Sequence, residues 1–123
     1  SRKWRSIDAY TQSKLCNVLF TKSLARKLAG SQISTYSIAP GWVNTGLFRD
    51  AHPMVKISAS LMAMSPMKAA RGLIHLVTAT EIGEVSGEYF AGMNMRKSSP
   101  ASYDEQLADK LWIKSEDYLK DYV

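Results

Sequence analysis

Apolar positions along the chain fall into three helix-like runs and two short extended ones. The first run spans residues 8–28, with Leu15, Cys16, Val18, Leu19 and Phe20 spread over several faces of one helix. Asp8 is its expected N-cap, Lys22, Arg26 and Lys27 suit its C-terminus, and Gly30 should end it. A helix apolar nearly all round needs cover on more than one side. A sheet is the expected first cover, with a second subunit as the candidate for the other.

The segment Ile33-Ser34-Thr35-Tyr36-Ser37-Ile38-Ala39 reads as a strand, broken by Pro40-Gly41. Residues 51–64 hold Met54, Val55, Ile57, Leu61, Met62 and Met64, too few to span a bilayer and too apolar for a plain loop. With the loop before them (residues 46–64 in all), they are expected to form a mobile cover over an apolar ligand, with a core helix as the alternative. A second helix starts with Ser65 as N-cap and Pro66 at N1, and Met67, Ala70, Leu73, Ile74 and Val77 form its expected apolar stripe. Gly83 and Gly87 bracket a turn before the short strand Glu88-Tyr89-Phe90-Ala91. A last helix is expected from a capping box of Ser102 with Glu105, burying Leu107, Leu111, Trp112 and, at its end, Leu119.

Helix, strand, helix, strand, helix is an α/β order. Two parallel strands do not make a stable sheet, since both faces and the edges need partners. The abrupt start at Ser1 places the expected missing portion upstream.

Composition adds limits. The chain has 123 residues, 46% hydrophobic and 22% charged, enough for at most one domain. Its net charge of +5 comes from scattered groups, so a nucleic-acid partner is not expected. Cys16 is the only cysteine, which rules out an internal disulfide and suggests a buried thiol in a reducing, intracellular setting. His52 and His75 lack metal-ligand spacing, so no metal is expected.

Tyr10 and Lys14 carry the chemistry. One helical turn apart, a phenol and an ammonium share one face. A free phenol titrates near 10, and bringing it into working range needs roughly 4 kcal/mol. A cation at about 4 Å, with an effective dielectric near 20, supplies about that much. Six tyrosines and ten lysines give about half a Tyr-x-x-x-Lys match by chance, so the pair alone is weak. A second signal strengthens it. At the carboxyl end of the first strand, where α/β sheets collect ligands, lies Ala39-Pro40-Gly41-Trp42-Val43-Asn44-Thr45-Gly46. Pro40 fixes the backbone, Gly41 admits a flat ring, backbone groups near Val43 can pair with an amide, and the Thr45 hydroxyl can meet a phosphate.

Tyr10-x-x-Ser13-Lys14 opening a long helix, followed by a strand and Pro40-Gly41-x-Val43-x-Thr45, resembles the short-chain dehydrogenase/reductase family. Ser13 to Thr21, Ser86-Gly87-Glu88-Tyr89-Phe90 and Leu111-Trp112 look most like its retinol dehydrogenase-like branch. The resemblance implies the C-terminal portion, over residues 1–123, of one Rossmann-type doubly wound NAD(P)-binding domain. It implies Tyr10 as catalytic acid/base and Lys14 as the group that tunes it and holds the nicotinamide ribose. Pro40, Gly41 and Val43 would line the nicotinamide, Thr45 would approach the phosphates, and Ser13 would support the helix locally. The implied activity is NAD(P)(H)-dependent interconversion of an alcohol and a carbonyl on a small lipophilic substrate, with NADP as cofactor and NAD as the alternative.

The Gly-rich dinucleotide loop and the carbonyl-polarising serine have no counterpart here, so the chain alone is expected to be inactive. The competing expectation is a non-catalytic dimerisation module on the same scaffold. A homodimer through the first helix and membrane attachment of the full-length protein both stay open. The implied location is cytoplasmic or the cytoplasmic face of the endoplasmic reticulum membrane.

Overall fold

The computed structural model describes residues 6–41, 64–83 and 85–122. Its elements in chain order are α1 (Ser6–Lys27), β1 (Tyr36–Ala39), α2 (Pro66–Thr78), β2 (Glu88–Ala91), β3 (Asn94–Arg96) and α3 (Glu105–Leu119), with short 3-10 turns at Thr80–Ile82 and Pro100–Tyr103. The result is an α/β fold, with β1, β2 and β3 in that order in one sheet. Thr35 O accepts from Gly87 N at 2.8 Å and Ala39 O from Gly92 N at 3.0 Å. The pairing advances in one direction on both chains, so β1 and β2 are parallel. Only Gly92 and Met93 separate β2 from β3, which makes those two an antiparallel hairpin. The expected two-stranded parallel arrangement thus becomes a mixed three-stranded one. All three residues of β3 are exposed, so it lacks the alternation that marks a half-buried strand.

The chain divides into two compact units. One comprises residues 1–37, 84–89 and 97–123; the other comprises residues 38–83 and 90–96.

In the first unit α1 packs on α3 and on the 3-10 turn before it. Leu19, Ser23, Ser102 and Ala108 are almost fully buried. Phe20 stacks on Trp112 with ring centroids 5.1 Å apart and planes 14° from parallel. Lys27 Nζ lies 4.7 Å from the Trp112 ring centroid, so α1 supplies both the ring and the cation that hold this tryptophan. The Thr35 hydroxyl donates to Thr21 O at 3.1 Å, tying the approach to β1 onto α1. Of the apolar run only Leu19 is buried; Leu15, Cys16 and Val18 are half-buried and Phe20 is exposed.

Several boundaries differ from expectation. Asp8 is the third residue of α1, not its cap, because the helix already begins at Ser6. Ladder pairing restricts β1 to four residues of the expected seven. Asp104 caps α3, its carboxylate accepting from Leu107 N at 2.9 Å. Ser102 instead sits buried in the 3-10 turn, where it donates to Ser99 O and pairs with the Ser98 hydroxyl, so the capping box with Glu105 does not form. An extra turn of 3-10 helix before Asp104 moved the cap two residues on. Leu107 and Leu119 are exposed and Leu111 and Trp112 are half-buried, while the buried residue of α3 is Ala108, whose small side chain suits a close helix approach. Cys16 is half-buried rather than buried.

In the second unit Ser65 caps α2, as expected, accepting from Lys68 N at 3.3 Å, with Pro66 in the first turn. Its orientation is not the expected one. Ala69 and Gly72 are buried, while Met67, Leu73, Ile74 and Val77 are exposed. A Cβ on Gly72 would lie 3.0 Å from both Gly92 O and Ile38 Cδ1. The helix therefore rests on the sheet through its smallest residues, which close backbone approach requires and which a search for large apolar side chains overlooks.

Candidate functional site

The first helix begins with exposed residues and becomes buried near Leu19. Tyr10 and Lys14 sit on that exposed first part, and the Tyr10 side chain is 62% exposed. Their four-residue spacing brings them together as the sequence predicted, with Lys14 Nζ 5.3 Å from the Tyr10 ring centroid. That is cation–π range. Two local bonds steady this turn: Thr11 Oγ1 donates to Ile7 O at 2.9 Å, and Ser13 Oγ donates to Tyr10 O at 2.7 Å. Ser13 thus bonds within the helix, as expected of a supporting residue.

Pro40 and Gly41 belong to the second unit and are exposed at the end of β1. Gly41 has φ +89°, a left-handed conformation that glycine adopts freely, and Met64 Cε lies 2.8 Å from the position of a Cβ there. Val43 and Thr45, expected at the nicotinamide and the phosphates, lie outside the described residues. So do residues 46–63 of the expected substrate cover.

A cavity of about 390 Å³ lies in the first unit, lined by Lys22, Ala25, Ser86, Gly87, Glu88 and Tyr103 among others. It is not the pocket of the Tyr10–Lys14 pair, because Lys22 is more than two turns beyond Lys14, about 12 Å along the helix. Its cations are already engaged. Lys22 Nζ lies 4.3 Å from the Tyr103 ring centroid, and Arg26 forms a 2.6 Å ion pair with Asp109. Hydrogen bonding with Ser98 holds the Tyr103 phenol below its ordinary titration range, with the Lys22 charge a smaller contribution in the same direction and desolvation opposing. Sequence reading did not find this cavity, since its walls come from three distant stretches with no shared motif. Among the described residues no group of His, Cys, Asp and Glu could hold a metal ion.

The exposed face of α1 presents one phenol O–H and three ammonium N–H donors within one turn. A family model described as enoyl-(acyl carrier protein) reductase matches residues 1–86. Human retinol dehydrogenase 13 is 37% identical over 123 residues, covering 94% of this chain and 37% of that protein. Human retinol dehydrogenase 14 is 35% identical, with 87% of this chain and 34% of that protein covered. Human retinol dehydrogenase 11 is 34% identical, with 90% and 36% covered. The chain belongs to the short-chain dehydrogenase/reductase family, whose members depend on NAD(P). It spans about a third of the length of these relatives.

Proposed function

We propose that the chain is the proton-transfer portion of an NADP(H)-dependent enzyme that interconverts an alcohol and a carbonyl on a small lipophilic substrate. The observation that carries this is the Tyr10–Lys14 contact on an exposed helix face, 5.3 Å from ammonium to ring centroid. In the reducing direction Tyr10 Oη gives its proton to the substrate oxygen, and in the oxidising direction it takes that proton back. Lys14 stabilises the negative charge that develops on Oη and holds the ribose hydroxyls through its remaining N–H donors. Pro40 and Gly41 give the backbone at the end of β1 the shape a flat ring needs, while Val43 and Thr45 are assigned the amide and phosphate ends. The bound cofactor supplies or accepts the hydride. The lipophilic substrate is supported by the retinol dehydrogenases among the relatives and by the apolar residues of 51–64. The carbonyl clamp and the adenosine side would come from residues outside this chain, so the chain alone turns nothing over.

The test is Tyr10→Phe in the full-length protein. Loss of a positioned general acid lowers turnover by about 10²–10⁴-fold, with folding unchanged at so exposed a position. Wild-type turnover in that variant would overturn the reading.

A further inference from the structure

Among the described residues four glycines have left-handed backbones, and at Gly41 alone the space of the missing side chain is taken by the free end of a flexible one. A Cβ there would lie 2.8 Å from Met64 Cε and 3.9 Å from Met64 Sδ. The thioether end of Met64 therefore lies against the bare side of the glycine, a place open to it because residue 41 has no Cβ. Both residues belong to the second unit. The Met64 backbone is anchored twice: a single β-bridge holds the residue itself, and Ser65 directly after it caps α2. Its side chain keeps three rotatable bonds, so the methyl group can leave while the backbone stays.

We propose that Met64 is a further residue of the nicotinamide site: its S-methyl group holds the bare side of Gly41 in the free protein and gives way to the pyridine ring. The proposal rests on the reading that a flat ring lies against Gly41, on the side its missing Cβ leaves open. Carbon atoms in contact stand about 3.5–4.0 Å apart, so a ring seated on that glycine and the Met64 methyl group cannot share the space. Met64 thus competes with the ring, and its apolar contact with Gly41 is lost each time the site fills. The competition weakens nucleotide binding by the worth of that contact, about four-fold for one buried methyl group. Its position is read from a contact rather than from turnover, so the proposal and the reading beneath it can fail separately.

The experiment is NMR of the full-length protein with isotope-labelled methionine methyl groups, the Met64 signal being assigned by its loss in Met64→Leu. The probe is whichever of NADP⁺ and NAD⁺ binds tighter, and the control is the matching ADP-ribose, which has the phosphates and a ribose but no pyridine ring. The free protein should show a nuclear Overhauser contact between the Met64 methyl group and Gly41 Hα. The dinucleotide should remove that contact and shift the methyl signal, whereas the ring-free control should bind and leave it in place. Met64→Ala should bind the dinucleotide about four-fold tighter by calorimetry, and the ring-free control as the wild type does. Absence of the contact in the free protein, its persistence in the dinucleotide complex, its loss with the ring-free control, or a Met64→Ala affinity no tighter than wild type would each overturn the proposal alone. Binding of neither dinucleotide would overturn the proposal together with the reading of the site.

Discussion

Gly87 and Gly30 offer a clean comparison between backbone strain and crowding. Both have left-handed backbones, φ +80° and +84°. A Cβ on Gly30 would meet nothing within 4 Å, whereas one on Gly87 would lie 3.0 Å from Ala25 Cβ and 3.8 Å from Lys22 Cα. The contact matters because it seats the start of β2 against α1, the helix that carries Tyr10 and Lys14. Gly30→Ala should cost about 1–2 kcal/mol for the left-handed backbone alone. Gly87→Ala should add about 1–3 kcal/mol of overpacking, since neither close atom is the end of a flexible side chain. Urea denaturation of both variants, in the full-length protein, measures the difference. Ala25→Gly removes the opposing Cβ at about 1 kcal/mol of helix propensity. In that background Gly87→Ala should cost no more than Gly30→Ala. If Gly87→Ala costs the same with and without Ala25, crowding against α1 is not what the glycine relieves.

Replacing Lys14 with Met should weaken cofactor binding, read by nucleotide titration of the full-length protein; unchanged affinity would show that the lysine does not hold the ribose. Phe20→Leu should destabilise by about 1 kcal/mol beyond its lost area by removing the stack on Trp112, and should change tryptophan fluorescence. Asp104→Ala should cost about 1 kcal/mol and reduce helicity at the start of α3, read by amide exchange at Leu107. Tyr103 should ionise below the free-tyrosine range, and Ser98→Ala should return it upward, followed by phenolate absorbance. The sign is that of a lowered acid. Its contribution to stability is fully present above the unfolded value near 10 and is lost as pH falls through the lowered folded value, leaving neutral pH unaffected.

The helices were legible because each carries an end signal or a long apolar run. Ser65-Pro66 placed the start of α2 to the residue, and Gly30 follows the end of α1 within three residues. What the sequence hid depends on which small residues tertiary contact selects. Ala69, Gly72 and Ala108 are buried, Gly72 against the backbone of Gly92, and nothing local distinguishes them from other small residues. The cap of α3 was misplaced because Ser102 and Asp104 are both good caps, and an intervening 3-10 turn decided between them. The hairpin strand β3 was missed because a short, exposed edge carries no periodicity. The Tyr10–Lys14 contact was readable because helical spacing fixes it without any tertiary information.

The stack of Phe20 on Trp112 joins positions about ninety residues apart. During synthesis at roughly 5–20 residues per second, the first helix therefore waits on the order of 5–20 seconds for its aromatic partner to leave the ribosome. Until then Leu19 and Phe20 are available to whatever binds greasy nascent helices. Closure of the first unit therefore waits on the synthesis of α3, and cellular yield should depend on chaperones more than the stability of the finished molecule suggests.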